Sequence, residues 1–168
     1  VARLLFLLLT APAPALADPW RFSDAAASLI DSLQRYEGPY QVEGVRTADP
    51  FNAYTIRVSD GDRELLAWKG HERTVFRQAG DVLYYADFHP MSSGCTLVAF
   101  DLKAKRELWR TPLRGLGPIG HSKYFNAVNL EVAGGAVTVS GRESAGRYVE
   151  RVDAQTGRTV RNQVLPRM

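Results

Sequence analysis

Three patterns of apolar and polar positions follow one another along the chain. Leu4 to Leu9 is an unbroken apolar run, preceded by Arg3 and followed by Ala-Pro-Ala-Pro-Ala-Leu-Ala. After it, Leu29, Ile30, Leu33 and Tyr36 recur at helical spacing, with Ser23-Asp24 as a cap and Gly38-Pro39 as a stop, which predicts a helix over 24–36. Past residue 40 the pattern becomes short alternating runs, broken by Gly, Asn, Asp and Pro about every ten residues, the rhythm of an antiparallel β domain. Strands are expected near 41–47, 54–59, 64–69, 74–78, 82–88 and 96–100, then near 107–111, 128–132, 136–140, 147–152 and 159–165. Asp60-Gly61, Ala79-Gly80-Asp81 and Gly134-Gly135 supply the positive φ of tight hairpin turns, so neighbouring strands should pair. Two stretches resist the pattern, His89 to Gly94 and Arg114 to Asn126, and long loops on a rigid scaffold are frequent sites of function.

The first run is too short for a membrane span, which needs about 20 apolar residues. With one Arg before it and Ala15-Leu16-Ala17 after it, it reads as a secretory leader cleaved after Ala17, leaving about 150 residues and one domain. The expected division is therefore a signal peptide at 1–17, a helical segment at 18–40 and a β domain at 41–168, exported to a periplasm or the exterior, with no stable membrane insertion. Cys95 is the only cysteine, so no internal disulfide can form. The net charge is +3, carried by 17 Arg and 4 Lys spread without runs, which is no nucleic-acid footprint.

A weak internal repeat narrows the architecture. Leu97-Val98-Ala99-Phe100-Asp101-Leu102-Lys103-Ala104-Lys105-Arg106-Glu107-Leu108-Trp109 and Tyr148-Val149-Glu150-Arg151-Val152-Asp153-Ala154-Gln155-Thr156-Gly157-Arg158-Thr159-Val160 share a strand ending in Asp, a tight turn and a second strand. Asp60 to Trp68 is a fainter third copy. This pattern resembles the hairpin of the PQQ-like β-propeller repeat, over roughly residues 74–165. The first copy has Ala104-Lys105 where the family has Thr-Gly, and the second has Arg161 where the family has Trp. In such a hairpin the Asp carboxylate accepts the turn's N–H groups, Gly takes the left-handed position, and Trp covers the gap between sheets. Asp101, Trp109, Asp153 and Gly157 are the residues that carry this motif.

A propeller needs at least four blades of about 40 residues, and fewer than that fit here. The expected fold is all-β: an antiparallel meander of two to three blade-like four-stranded sheets, open and propeller-like, with the one N-terminal helix over an exposed face or edge. The metal site and paired cysteines of quinone-carrying propellers do not fit the chain, so no cofactor is expected. Leu83, Tyr85, Val98, Phe100, Leu108, Trp109, Val137, Val139, Val149 and Val152 are the expected core, with Trp68 and Trp109 between sheets.

Candidate chemistry gathers at one loop. His121, Lys123, Tyr124, Asn126 and Asn129 place an imidazole, an ammonium, a phenol and two amides together, suited to an anion or polar small molecule, and Glu143 joins them if the hairpins stack. The same groups have a plainer use: His121 and Asn126 can satisfy loop carbonyls while Lys123 and Glu143 stay solvated. His89, Cys95 and the other histidines lack the spacing of a metal site, and Cys95 reads as a small buried residue. No nucleophile elbow, zinc helix or phosphate loop occurs, and Gly115-x-Gly117-x-x-Gly120 contains Pro118 and opens no helix. The reading is an exported, non-catalytic β-repeat protein that binds another protein or itself. The alternative is a small-molecule or anion-binding domain, or a weak enzyme, built on the His121–Asn129 loop.

Overall fold

The computed structural model describes residues 29–48, 53–72, 74–88, 93–118, 127–143 and 146–166. Helix α1 (Leu29–Gln34) is followed by β1 (Gln41–Arg46), β2 (Ala53–Asp60), β3 (Arg63–His71), β4 (Phe76–Ala79), β5 (Val82–Phe88) and β6 (Ser93–Asp101). The remaining strands are β7 (Arg106–Pro118), β8 (Ala127–Ala133), β9 (Ala136–Glu143), β10 (Gly146–Asp153) and β11 (Thr159–Pro166). All pairing is antiparallel between sequence neighbours, giving three meanders: β1-β2-β3, β4-β5-β6-β7 and β8-β9-β10-β11. The fold is thus all-β and open, with the eleven expected strands. The first sheet has three strands where four were expected.

Two expectations fail for reasons of strand geometry. Arg114 to Pro118, read as loop, continues β7, with Ser93 paired to Pro118 across an irregular register. Leu108 is 37 % exposed because neighbouring side chains on a strand face opposite ways, and Trp109 takes the inward position. The helix is described only from Leu29, and in it Ile30 is exposed while Leu29 and Ser32 are buried. Among the described residues, no helix is long and apolar enough to cross a membrane.

The middle sheet is buried on both faces. Leu83, Tyr85 and Val98 point toward the first sheet, where Ile56, Val58, Leu65 and Leu29 meet them. Tyr84, Ala86, Leu97 and Ala99 point the other way, onto Leu130, Val137, Val139, Tyr148 and Val152 of the third sheet. Alternation on β5 and β6 therefore serves two cores, and their central stretches Val82 to Ala86 and Leu97 to Phe100 read as continuous apolar runs. Cys95 is buried and unoxidised within the second of these cores.

The Asp turns tie successive sheets together. Asp153 Oδ1 accepts the N–H groups of Gln155 (3.1 Å) and Thr156 (2.8 Å) and the Thr156 hydroxyl (2.8 Å). Asp101 Oδ1 accepts the Ala104 N–H at 2.8 Å. Each turn is also pinned to the preceding hairpin of its own sheet, Ala154 N–H to the Gly135 carbonyl at 3.0 Å and Leu102 N–H to the Asp81 carbonyl at 2.9 Å. Gly157 adopts φ 71° and lies under the Trp109 ring, whose Nε1–H donates to the Ala154 carbonyl at 3.0 Å. The Thr111 hydroxyl donates to the Gly157 carbonyl, so β7 is fastened to the turn of the third sheet at two points. In the first turn Lys105 holds the left-handed position at φ 53° and its Nζ donates to the Glu64 carbonyl at 3.2 Å. There Trp68 stacks instead on Tyr85, ring centroids 4.5 Å apart, and its Nε1–H finds no acceptor among the described residues.

A methyl group on Gly157 would lie 2.7 Å from Trp109 and require a left-handed alanine. Gly157→Ala is expected to cost about 2–4 kcal/mol in denaturant unfolding. Lys105→Gly relieves backbone strain at an open position and should change stability by less than about 1 kcal/mol, in the stabilising direction. The Thr156 hydroxyl, then the Thr156 N–H, hold the Asp153 carboxyl below its ordinary 3.8. A depressed folded value means its contribution is complete above the unfolded value and is lost as pH falls through the folded one. Asp153→Asn should therefore melt below the parent at neutral pH, and the gap should close in acid; a gap that persists below pH ~3 contradicts the assignment.

Candidate functional site

His121, Lys123, Tyr124 and Asn126 lie outside the described residues, as does His89. Asn129 stands half-buried on β8, opposite Ser140. Glu143 ends β9, and the pairing of Ala127 with Arg142 brings its backbone to the strand end where the loop enters. The register thus places Glu143 and the start of β8 at the same end of the sheet, while Asn129 lies further along, beside the middle sheet. His71 lies at the end of β3, where its main-chain N–H donates to the Thr74 hydroxyl at 2.8 Å.

Every open sheet leaves edge strands with unused N–H and C=O groups, and each must be covered, broken or charged. On β7 the exposed Pro112 interrupts the donors. On β3 the exposed Arg63, Glu64 and Lys69 discourage a neighbour, and Arg161 is exposed on β11. On β4 the cover is α1. Phe76 N–H points away from β5 and donates to the buried Ser32 hydroxyl at 3.3 Å, and the Tyr36 hydroxyl donates to Gln78 Oε1. Gly44 of β1 leaves room for Leu29, since a methyl there would meet Leu29 Cδ2 at 3.2 Å. The helix therefore seals the junction of the first two sheets, and burial there pushes the Tyr36 phenol up from its ordinary value.

The first strand of the third sheet, β8, is flanked by β4 rather than by a helix, and among the described residues no hydrogen bond engages its outward main-chain groups. The Gly134–Gly135 turn makes Ala133 and Ala136 a bonded pair, so Asn129 and Glu131 bond to β9 while the main-chain groups of Leu130 and Val132 face outward. Beside that edge runs a groove of about 290 Å³, walled by Asn129 to Val132 on one side and by Arg77 and Gln78 of β4 on the other. Arg77 and Gln78 also wall a second groove, of about 430 Å³, between β4 and the end of α1. These two residues join the grooves into one inner rim. Burial, then the nearby Arg35 charge, lower the Arg77 pKa, while Asp31 opposes both.

Sequence reasoning singled out Asn129 but passed over Ser32, Arg35, Arg77 and Gln78. Their roles arise from α1, β4 and β8 meeting in space. A serine three residues after Leu29 on the packed side of the helix was the one local hint. The rim is suited to holding an extended main chain and polar side groups. Among the described residues no three His, Cys, Asp or Glu side chains gather to hold a metal. Fold and rim together define an open stack of three antiparallel sheets in which β4 and β8 face each other across the rim. A search of family models and of curated proteins finds no match to the chain.

Ser32→Ala would orphan the buried Phe76 N–H. It is expected to cost about 1–2 kcal/mol and to speed exchange of the Phe76 amide more than that of Ala86, which bonds to the Val75 carbonyl inside the sheet.

Proposed function

We propose that this chain is an exported, non-catalytic interaction module, a short open relative of PQQ-like repeat proteins, that receives an extended segment of a partner protein as an added strand along β8. The observation that carries the reading is the outward-turned main chain of Leu130 and Val132 beside the rim groove. Strand addition satisfies those groups with main-chain bonds, and the groove supplies side-chain selection. Export rests on the leader-like first 17 residues.

The outer faces favour an edge over a face as the binding element. Glu43, Arg57 and Glu64 form an exposed chain of ion pairs at 3.4 and 3.6 Å on the outer face of the first sheet. Such pairs add under about 1 kcal/mol each and mark a surface built for water. On the outward face of the third sheet Glu131 and Arg151 are exposed, Asn129, Thr138 and Ser140 are half-buried, and Val149 is buried.

Extended peptides selected from a displayed random library against the purified chain are expected to slow amide exchange at Leu130 and Val132. Val132→Pro removes one outward donor without touching the β8–β9 ladder, and should weaken such peptides about tenfold or more. A selection that yields no ligand, or ligands that leave both amides exchanging at the free rate, would overturn the proposal.

A further inference from the structure

The groove at the end of α1 lies away from the β8 edge and has a chemistry of its own. Its volume is about 430 Å³, and its walls include Arg35, Tyr36 and Glu37 from the end of the helix and Arg77 and Gln78 from β4. Arg35 and Arg77, from separate segments, both line this one space, and Arg77 Nη1 donates to the Phe76 carbonyl at 3.0 Å. Burial disfavours the charge on Arg77, and Arg35 adds repulsion. Asp31, one turn before Arg35, acts on Arg77 in the opposite sense, and Glu37 contributes a carboxylate to the lining. The rest of the wall is neutral and already satisfied, because the Tyr36 hydroxyl donates to Gln78 Oε1 and Gln78 Nε2 donates to the Gly80 carbonyl at 2.7 Å. Two arginines lining one groove are suited to recognising a planar carboxylate or a phosphate.

We propose that this groove is an anion subsite, in which Arg35 and Arg77 together hold a carboxylate or phosphate group of a ligand. The bound anion relieves the repulsion between the two guanidinium groups and accepts their hydrogen bonds. The subsite is independent of strand addition at β8, although Arg77 and Gln78 would let one ligand reach both grooves.

The test is an amide NMR titration of the purified chain, with inorganic phosphate and acetate added separately at constant ionic strength. Saturable shifts are expected at Gly38 and Gly80, which line the groove. Saturation with phosphate alone assigns a phosphate-bearing ligand, and saturation with acetate as well assigns a carboxylate. Arg77→Gln should weaken binding about tenfold, equal to ~1.4 kcal/mol, and Arg35→Gln should do the same. Arg35 is exposed, so its variant keeps the test decisive if the Arg77 substitution perturbs folding. Val132→Pro should leave the titration unchanged, which separates this site from the β8 edge. Shifts that stay linear for both anions, or an affinity indifferent to Arg35→Gln, would overturn the proposal.

Discussion

Burial of the middle sheet on both faces is the constraint on which the rest of the structure depends. The central stretches of β5 and β6, Leu83 to Ala86 and Leu97 to Phe100, must be apolar at every position, because odd and even side chains enter different cores. The first and third sheets each need only one apolar face, and each finds its partner in the middle one. Nearest-neighbour dependence of this kind lets a short chain build a layered core without closing a ring. It also leaves edges, which explains why so many local devices along the chain serve edge protection.

Much of this was legible in the sequence. All eleven strands announce themselves through alternation and turn residues, and Asp101 and Asp153 mark the two turns that pin one sheet to the next. The failures are equally physical. Leu108 looked as apolar as Trp109, but only one of two strand neighbours can face the core, and periodicity gives no phase where a register shift intervenes between Ala99 and Phe100. Gly115, Gly117 and Pro118 disguised the extension of β7. The rim residues Arg77 and Gln78 were invisible for a different reason: a four-residue strand is too short to show a pattern, and its neighbours α1 and β8 lie far away in sequence. Of the loop residues chosen for their chemistry, Asn129 lines the rim, and the His121 to Asn126 stretch lies outside the described residues.

The contrast between β4 and β8 organises the functional picture. Both are innermost strands of four-stranded sheets, and both turn alternate main-chain groups outward. The helix answers for the first with Ser32 and Tyr36. Beside the second stands β4 itself, with Arg77 and Gln78 across the groove. Under the strand-addition proposal, specificity and affinity would come from different atoms: side chains would select, and the main chain would bind.

The tryptophans carry a further meaning. Trp68 packs toward the second sheet and Trp109 docks on the third, while the equivalent place on β11 holds the exposed Arg161. Each tryptophan sits on the last strand of its own sheet and seats on the sheet that follows, so the order of the three sheets along the chain is also the order in which they dock.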